Sequence, residues 1–111
     1  MNSLRIILFS ILFVLPVILL AQRNPAKSAD EAFNAQQYSI AIDKYKKAYT
    51  KVKRNKEEKN RITAQLAECY RLTANYKRAE ISYKLLVKKE WYRKNPIVLL
   101  RYAEMLKING K

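Results

Sequence analysis

The sequence predicts an all-α chain, about five helices joined by short turns behind an apolar N-terminal leader. Three observations carry this. Apolar residues recur three and four apart from Asn24 almost to the end, and no stretch alternates as a strand would. One glycine and three prolines in 111 residues are too few for a turn-rich β fold. Four positions also repeat at one spacing: Ala29, Tyr38, Ala41 and Tyr45 return as Ala67, Tyr76, Ala79 and Tyr83, each thirty-eight residues later. Self-similarity at a fixed period, on a helix–turn–helix unit, marks a helical repeat array.

Residues 6–20 form a fifteen-residue apolar run behind a short start that carries Arg5. A charged start, a short apolar middle and a small residue at the exit describe a secretory signal peptide over residues 1–21, with Ala21 the last residue removed. Leu19 departs from the small residue usual two places earlier. The alternative is an uncleaved membrane anchor, for which the run is short against the ~20 apolar residues of a span and is interrupted by Pro16. No cysteine follows the run, which argues against a lipid anchor. Export is the expectation.

The remaining residues, 22–111, read as helices in series. Asn24-Pro25 suits a helix start, with asparagine as cap and proline in the first turn, and Asn95-Pro96 repeats the device. Asp30 and Glu31 suit the positive end of the first helix. Gln36-Gln37 breaks the pattern. Tyr38, Ala41, Ile42, Tyr45, Ala48, Tyr49 and Val52 then make one stripe of a second helix. The charged stretch KRNKEEKN reads as a link. Beyond it, Ile62, Leu66, Ala67, Tyr70 and Ala74 mark a third helix, and Tyr76, Ala79, Tyr83, Leu86 and Val87 a fourth. A fifth runs from Pro96 through Leu99, Ala103 and Leu106 to a turn at Asn109-Gly110-Lys111. The repeats are expected at about 24–54 and 59–90, with a truncated third from 96.

Lys and Arg number 23 against 9 Asp and Glu, a net charge of +14. Such a balance admits nucleic acid, an anionic membrane surface or an acidic polymer as partner. Export disfavours nucleic acid, and runs such as Lys51-Val52-Lys53-Arg54 read as solvated helix ends and loops. Trp91-Tyr92, among lysines and arginines, reads as an aromatic seal between adjacent repeats rather than a membrane or nucleic-acid contact. Cys69 is the one cysteine, so no disulfide forms within the chain, and its place in a helical stripe makes it an apolar filler. With no histidine, no paired cysteine, no glycine-rich phosphate loop and no nucleophile–base motif, no catalytic, metal or cofactor site is expected.

The repeated residues resemble the tetratricopeptide repeat, over residues 24–111. Ala29, Ala41 and Ala48 stand at the small positions where the helices of a first repeat cross, with Tyr45 at the large position between the latter two. Ala67, Tyr70, Ala79 and Tyr83 match the second repeat, and Tyr38 and Tyr76 stand at the aromatic position of the turn. The period departs from the usual thirty-four, Ala32 replaces a large aromatic, and Leu86 stands where a small residue is expected. The resemblance implies a solenoid of helix–turn–helix units that binds protein or peptide segments on the concave face of its first helices. Carried over, that face holds Lys27, Asp30, Asn34, Gln65, Glu68, Arg71, Arg101, Glu104 and Lys107. The family's carboxylate clamp does not carry over, because Ala26, Asp30 and Gln65 replace its lysine and asparagine positions.

A leader followed directly by such repeats is similar to multidomain Gram-negative envelope proteins. In these, tetratricopeptide repeats precede a β-propeller and an OmpA-like peptidoglycan-associated domain. The resemblance implies a non-catalytic scaffold of the periplasm or outer membrane, at the front of a larger protein, that holds protein partners and meets peptidoglycan only through a domain not present here. The alternatives are a basic helical module for anionic lipid or nucleic acid, and an adaptor anchored in the inner membrane.

Overall fold

A computed structural model describes residues 24–111, so the expected leader over residues 1–21 lies outside the described residues. Five α-helices follow in chain order: α1 Lys27–Asn34, α2 Tyr38–Lys51, α3 Lys56–Leu72, α4 Tyr76–Lys88 and α5 Ile97–Ile108, with a 3-10 turn at Trp91–Arg93 before α5. No strand occurs among the described residues. The all-α expectation and the helix count hold. No helix among them is long and apolar enough to cross a membrane.

Each helix packs on its neighbours in the chain. One core gathers Ala29, Ala32, Ala41, Tyr45 and Ala48 from the first hairpin with Ile62 and Cys69 of α3. A second gathers Ala67 and Tyr70 of α3 with Ala79, Tyr83 and Leu86 of α4 and Val98 and Met105 of α5. Ile42 and Leu66 pack against both cores and make them continuous. The alanines at the helix crossings are buried, Ala29 and Ala48 at 1 % exposure and Ala41, Ala67 and Ala79 at zero. A methyl group at the crossing lets backbones approach closely, and the tyrosines one turn away cover the seam. Leu86, in place of a small residue, is also fully buried. Phe33 and Tyr38 meet edge to face beside Ala32, with ring centroids 5.5 Å apart, and supply the bulk that Ala32 lacks. Trp91 packs against the second core at the α4–α5 junction.

The turns after α1, α3 and α5 are one turn made three times. Gln36, Ala74 and Gly110 adopt left-handed backbone, with φ of 60°, 61° and 78°. Their amides donate to the carbonyls of Phe33, Arg71 and Lys107 at 2.9, 3.1 and 3.1 Å. The next amides, of Gln37, Asn75 and Lys111, reach back to Ala32, Tyr70 and Leu106 at 2.9, 2.8 and 2.9 Å. This left-handed exit closes the carbonyls that a helix end leaves open. The periodicity of the side chains is thus a periodicity of the backbone.

Three helix starts differ from the sequence reading. Neither Asn24 nor Asn95 caps with its side chain: each instead accepts through its backbone carbonyl, from Lys27 N at 3.2 Å and Val98 N at 3.1 Å. The proline that follows supplies the turn, and the helices begin at Lys27 and Ile97. Inside the charged stretch read as a link, α3 begins at Lys56. Asn55 caps it, accepting from Glu58 N at 3.1 Å, and Glu57 and Glu58 fill the first turn where acids oppose the helix dipole favourably. Asn75 caps α4 in the same way, accepting from Arg78 N at 3.4 Å.

Candidate functional site

The first helices of the successive units carry an acid at a fixed place: Asp30 on α1, Glu68 on α3 and Glu104 on α5, thirty-eight and then thirty-six residues apart. In the first two units the tyrosine of the following helix reaches it. Tyr45 Oη donates to Asp30 Oδ1 at 2.5 Å, and Tyr83 donates to a carboxylate oxygen of Glu68. Burial first, and then the bond to the acid, raises both phenols well above their usual range, so each is a neutral donor.

Around Asp30 the network is closed by a residue of the next unit. Arg61 on α3 grips it with both terminal nitrogens, Nη1 to Oδ1 and Nη2 to Oδ2, each at 3.1 Å. The same guanidinium binds Glu58 through Nε at 3.0 Å and Nη2 at 2.8 Å. Gln65 Nε2 donates to Tyr45 Oη at 3.3 Å. A fork engaged on two carboxylates holds the arginine in one orientation. A shallow concavity of about 400 Å³ opens beside this cluster, lined by Asn24, Asp30, Asn55, Glu58 and Arg61 among others.

Glu68 is held within its own unit, by Arg71 and Tyr83. Burial opposes its ionisation, yet the bonds from Arg71 and Tyr83, with Arg101 farther off, outweigh burial and hold its carboxyl below the ordinary value. On α5, Arg101 Nη1 lies 3.1 Å from Glu104 Oε2.

Of the nine residues expected on the binding face, Asp30 and Gln65 come together through Tyr45. Glu68 and Arg71 form a second pair, and Arg101 and Glu104 a third. Lys27, Asn34 and Lys107 lie exposed outside these groups. Arg61 and Glu58 are not legible as site residues in the sequence, where Tyr45 and Tyr83 read only as stripe and repeat positions. The two tyrosines are core, at 0 % and 2 % exposure, but their hydroxyls emerge on the acids. The signal was present: Asp30 and Glu68 share the thirty-eight-residue spacing of Tyr45 and Tyr83. Cys69 is fully buried, which pushes its thiol up to about 11, and it fills space in the first core as expected.

No family model, curated protein or solved structure matches the chain. Within the chain's own geometry, α5 stands apart. Ile62 and Cys69 of α3 pack in the first core, with α2; Val98 and Met105, thirty-six residues on, pack in the second core, with α4. Ala67 and Tyr70, on the other side of α3, are covered by α4. Their counterparts Ala103 and Leu106 have no such helix over them among the described residues. Ala103 is exposed where Ala29 and Ala67 are buried. Ile97, Leu99, Leu100 and Ile108 are each about half exposed on the same short helix, at 53, 46, 54 and 54 %.

Proposed function

We propose that the chain is a non-catalytic, tetratricopeptide-like scaffold of the bacterial envelope that holds other polypeptide segments in helical form. The observation that carries this reading is the face of α5. It repeats the small residue, the acid and the apolar positions with which α1 and α3 receive a second helix, and it leaves them open. A large apolar surface on a short helix favours contact with another protein. The occupant fitted to it is an amphipathic helix with a small residue to cross at Ala103 and a tyrosine to donate to Glu104, as Tyr45 and Tyr83 do. That helix is supplied by the polypeptide that the scaffold holds. The apolar leader supports export, and the mixed-charge row on α1, α3 and α5 supports a polypeptide ligand over a uniform polyanion along that row.

The test is a photocrosslinking side chain at Leu100 of the full chain, with Lys46 on α2 as control, in envelope preparations. Adducts at position 100, mapped by mass spectrometry to amphipathic helical segments and abolished by Ala103→Lys, are expected. Adducts to lipid alone, or no excess over position 46, would overturn the reading.

A further inference from the structure

On the side of the α2–α3 junction lined by Tyr49 and Leu85, a concavity of about 650 Å³ gathers five cations: Lys53, Arg54, Lys56, Lys59 and Lys89. The first four surround the junction, and Lys89 comes from the end of α4, thirty residues away in sequence. No carboxylate lines the concavity. The two acids of the first turn of α3 are engaged elsewhere: Glu58 with Arg61 at 2.8 Å and Glu57 with Lys94 at 3.7 Å. Among the described residues none of the five cations is part of an ion pair, whereas six other basic residues are.

Like charges crowded into a concave surface repel one another within a Debye length of ~8 Å. They concentrate anions there more strongly than the same charges would on a convex surface. The floor is not purely ionic. Lys59 Nζ stands 5.4 Å from the centroid of the Tyr49 ring, and Leu85 contributes a half-exposed apolar side chain. Asn60 adds a neutral amide, while the hydroxyl of Thr63 is already spent on Lys59 O at 2.8 Å. One concavity of this volume, with its cations gathered around it, suits a compact group rather than an extended strand.

We propose that this concavity is a binding site for a compact, multiply charged phosphate group, with the ammonium and guanidinium groups on its oxygens and Tyr49 and Leu85 against the part of the ligand that bears it. The site is separate from the α5 face and does not depend on what covers that face.

The probe is sodium tripolyphosphate, titrated calorimetrically into the full chain in a non-ionic detergent at low salt. Saturable binding at one site is expected. The pairs Lys56→Gln with Lys59→Gln, and Arg54→Gln with Lys89→Gln, each weaken it at least about tenfold, since charge-assisted contacts are lost. Lys46→Gln with Lys47→Gln removes the same charge from the outer face of α2 and changes affinity less than about twofold. Equal losses in all three variants, absence of a saturable phase, or an oligonucleotide that binds more tightly and loses affinity equally in all three would each overturn the proposal in favour of diffuse attraction. Sedimentation with vesicles of phosphatidylcholine, with or without 30 % phosphatidylglycerol, separates two sources of the phosphate. A lipid headgroup makes the excess on anionic vesicles sensitive to the first two variants and to competing tripolyphosphate. A soluble phosphate ligand leaves that excess unchanged among the three variants while the calorimetric difference remains.

Discussion

Tyr45 donates its hydroxyl to Asp30 across the first hairpin, and thirty-eight residues later Tyr83 donates to Glu68 across the second. One side chain thus does two jobs: its ring fills the core beside a crossing alanine, and its oxygen anchors an acid at the edge of the first helix. Removing the oxygen alone isolates the second job. Tyr45→Phe and Tyr83→Phe should each cost about 1 kcal/mol in urea unfolding, because the rings stay packed and each acid keeps its arginine. A loss of several kcal/mol in either would mean that the hydroxyl also supports the core.

The crossing alanines give a sharper contrast. Ala67→Leu places three extra carbons where α3 and α4 touch, and should cost about 1–3 kcal/mol or prevent cooperative unfolding. Ala103→Leu makes the same change on the exposed face of α5 and should stay within about 0.5 kcal/mol of the parent chain. Equal costs at both positions would contradict the arrangement of helices around α3.

Ala74 and Gln36 occupy left-handed backbone without being glycine, while Gly110 holds the third copy of the turn. Ala74→Gly relieves the clash of the β-carbon at the cost of a more flexible unfolded chain, for a net gain of about 0.5 kcal/mol. Gly110→Ala should move stability the opposite way, and nothing lies within 4 Å of the added β-carbon to confuse the reading. Thermal melts of the two variants, with transitions shifted in opposite directions, check this.

The pH dependence follows from Glu68. Its folded-state carboxyl binds a proton less readily than the unfolded one, so the unfolded chain takes up more protons as pH falls through the carboxylate range. The stabilisation is present above the ordinary value of about 4.3 and is lost as pH drops through the lowered folded value. Urea unfolding across pH 3 to 6 should show Glu68→Gln with a shallower acid limb than the parent chain. An unchanged limb would show that the Arg71 and Tyr83 bonds do not bias its ionisation.

Much of the fold could be read from spacing alone, because burial at a helix crossing demands small residues and leaves a trace of alanines three and four apart. Ala41, Ala67 and Ala79 were legible for that reason. The start of α3 was not: Lys56, Glu57 and Glu58 look like a solvated link, although acids in the first turn and asparagine before it are what a helix N-terminus favours. On the acid row, the shared spacing of Asp30 and Glu68 is visible in the sequence, but Arg61, which grips Asp30, comes from another helix, and side-chain reach across helices leaves no local pattern. The basic concavity was hidden for a related reason. Lys53 and Lys89 are neighbours only once α2, α3 and α4 are assembled, and each alone reads as an ordinary solvated lysine.

The Asp30–Arg61 grip gives the array a direction. Asp30 is completed by an arginine from the following unit, and Glu68 feels Arg101 on α5, also in the unit after its own. If α3 lets go, α1 is left with an acid missing its principal cation, whereas release of α1 leaves Arg61 still bound to Glu58. Fraying that begins at the α1 end therefore has a natural stopping point at α3, but loosening that begins farther along is passed back toward the start of the chain.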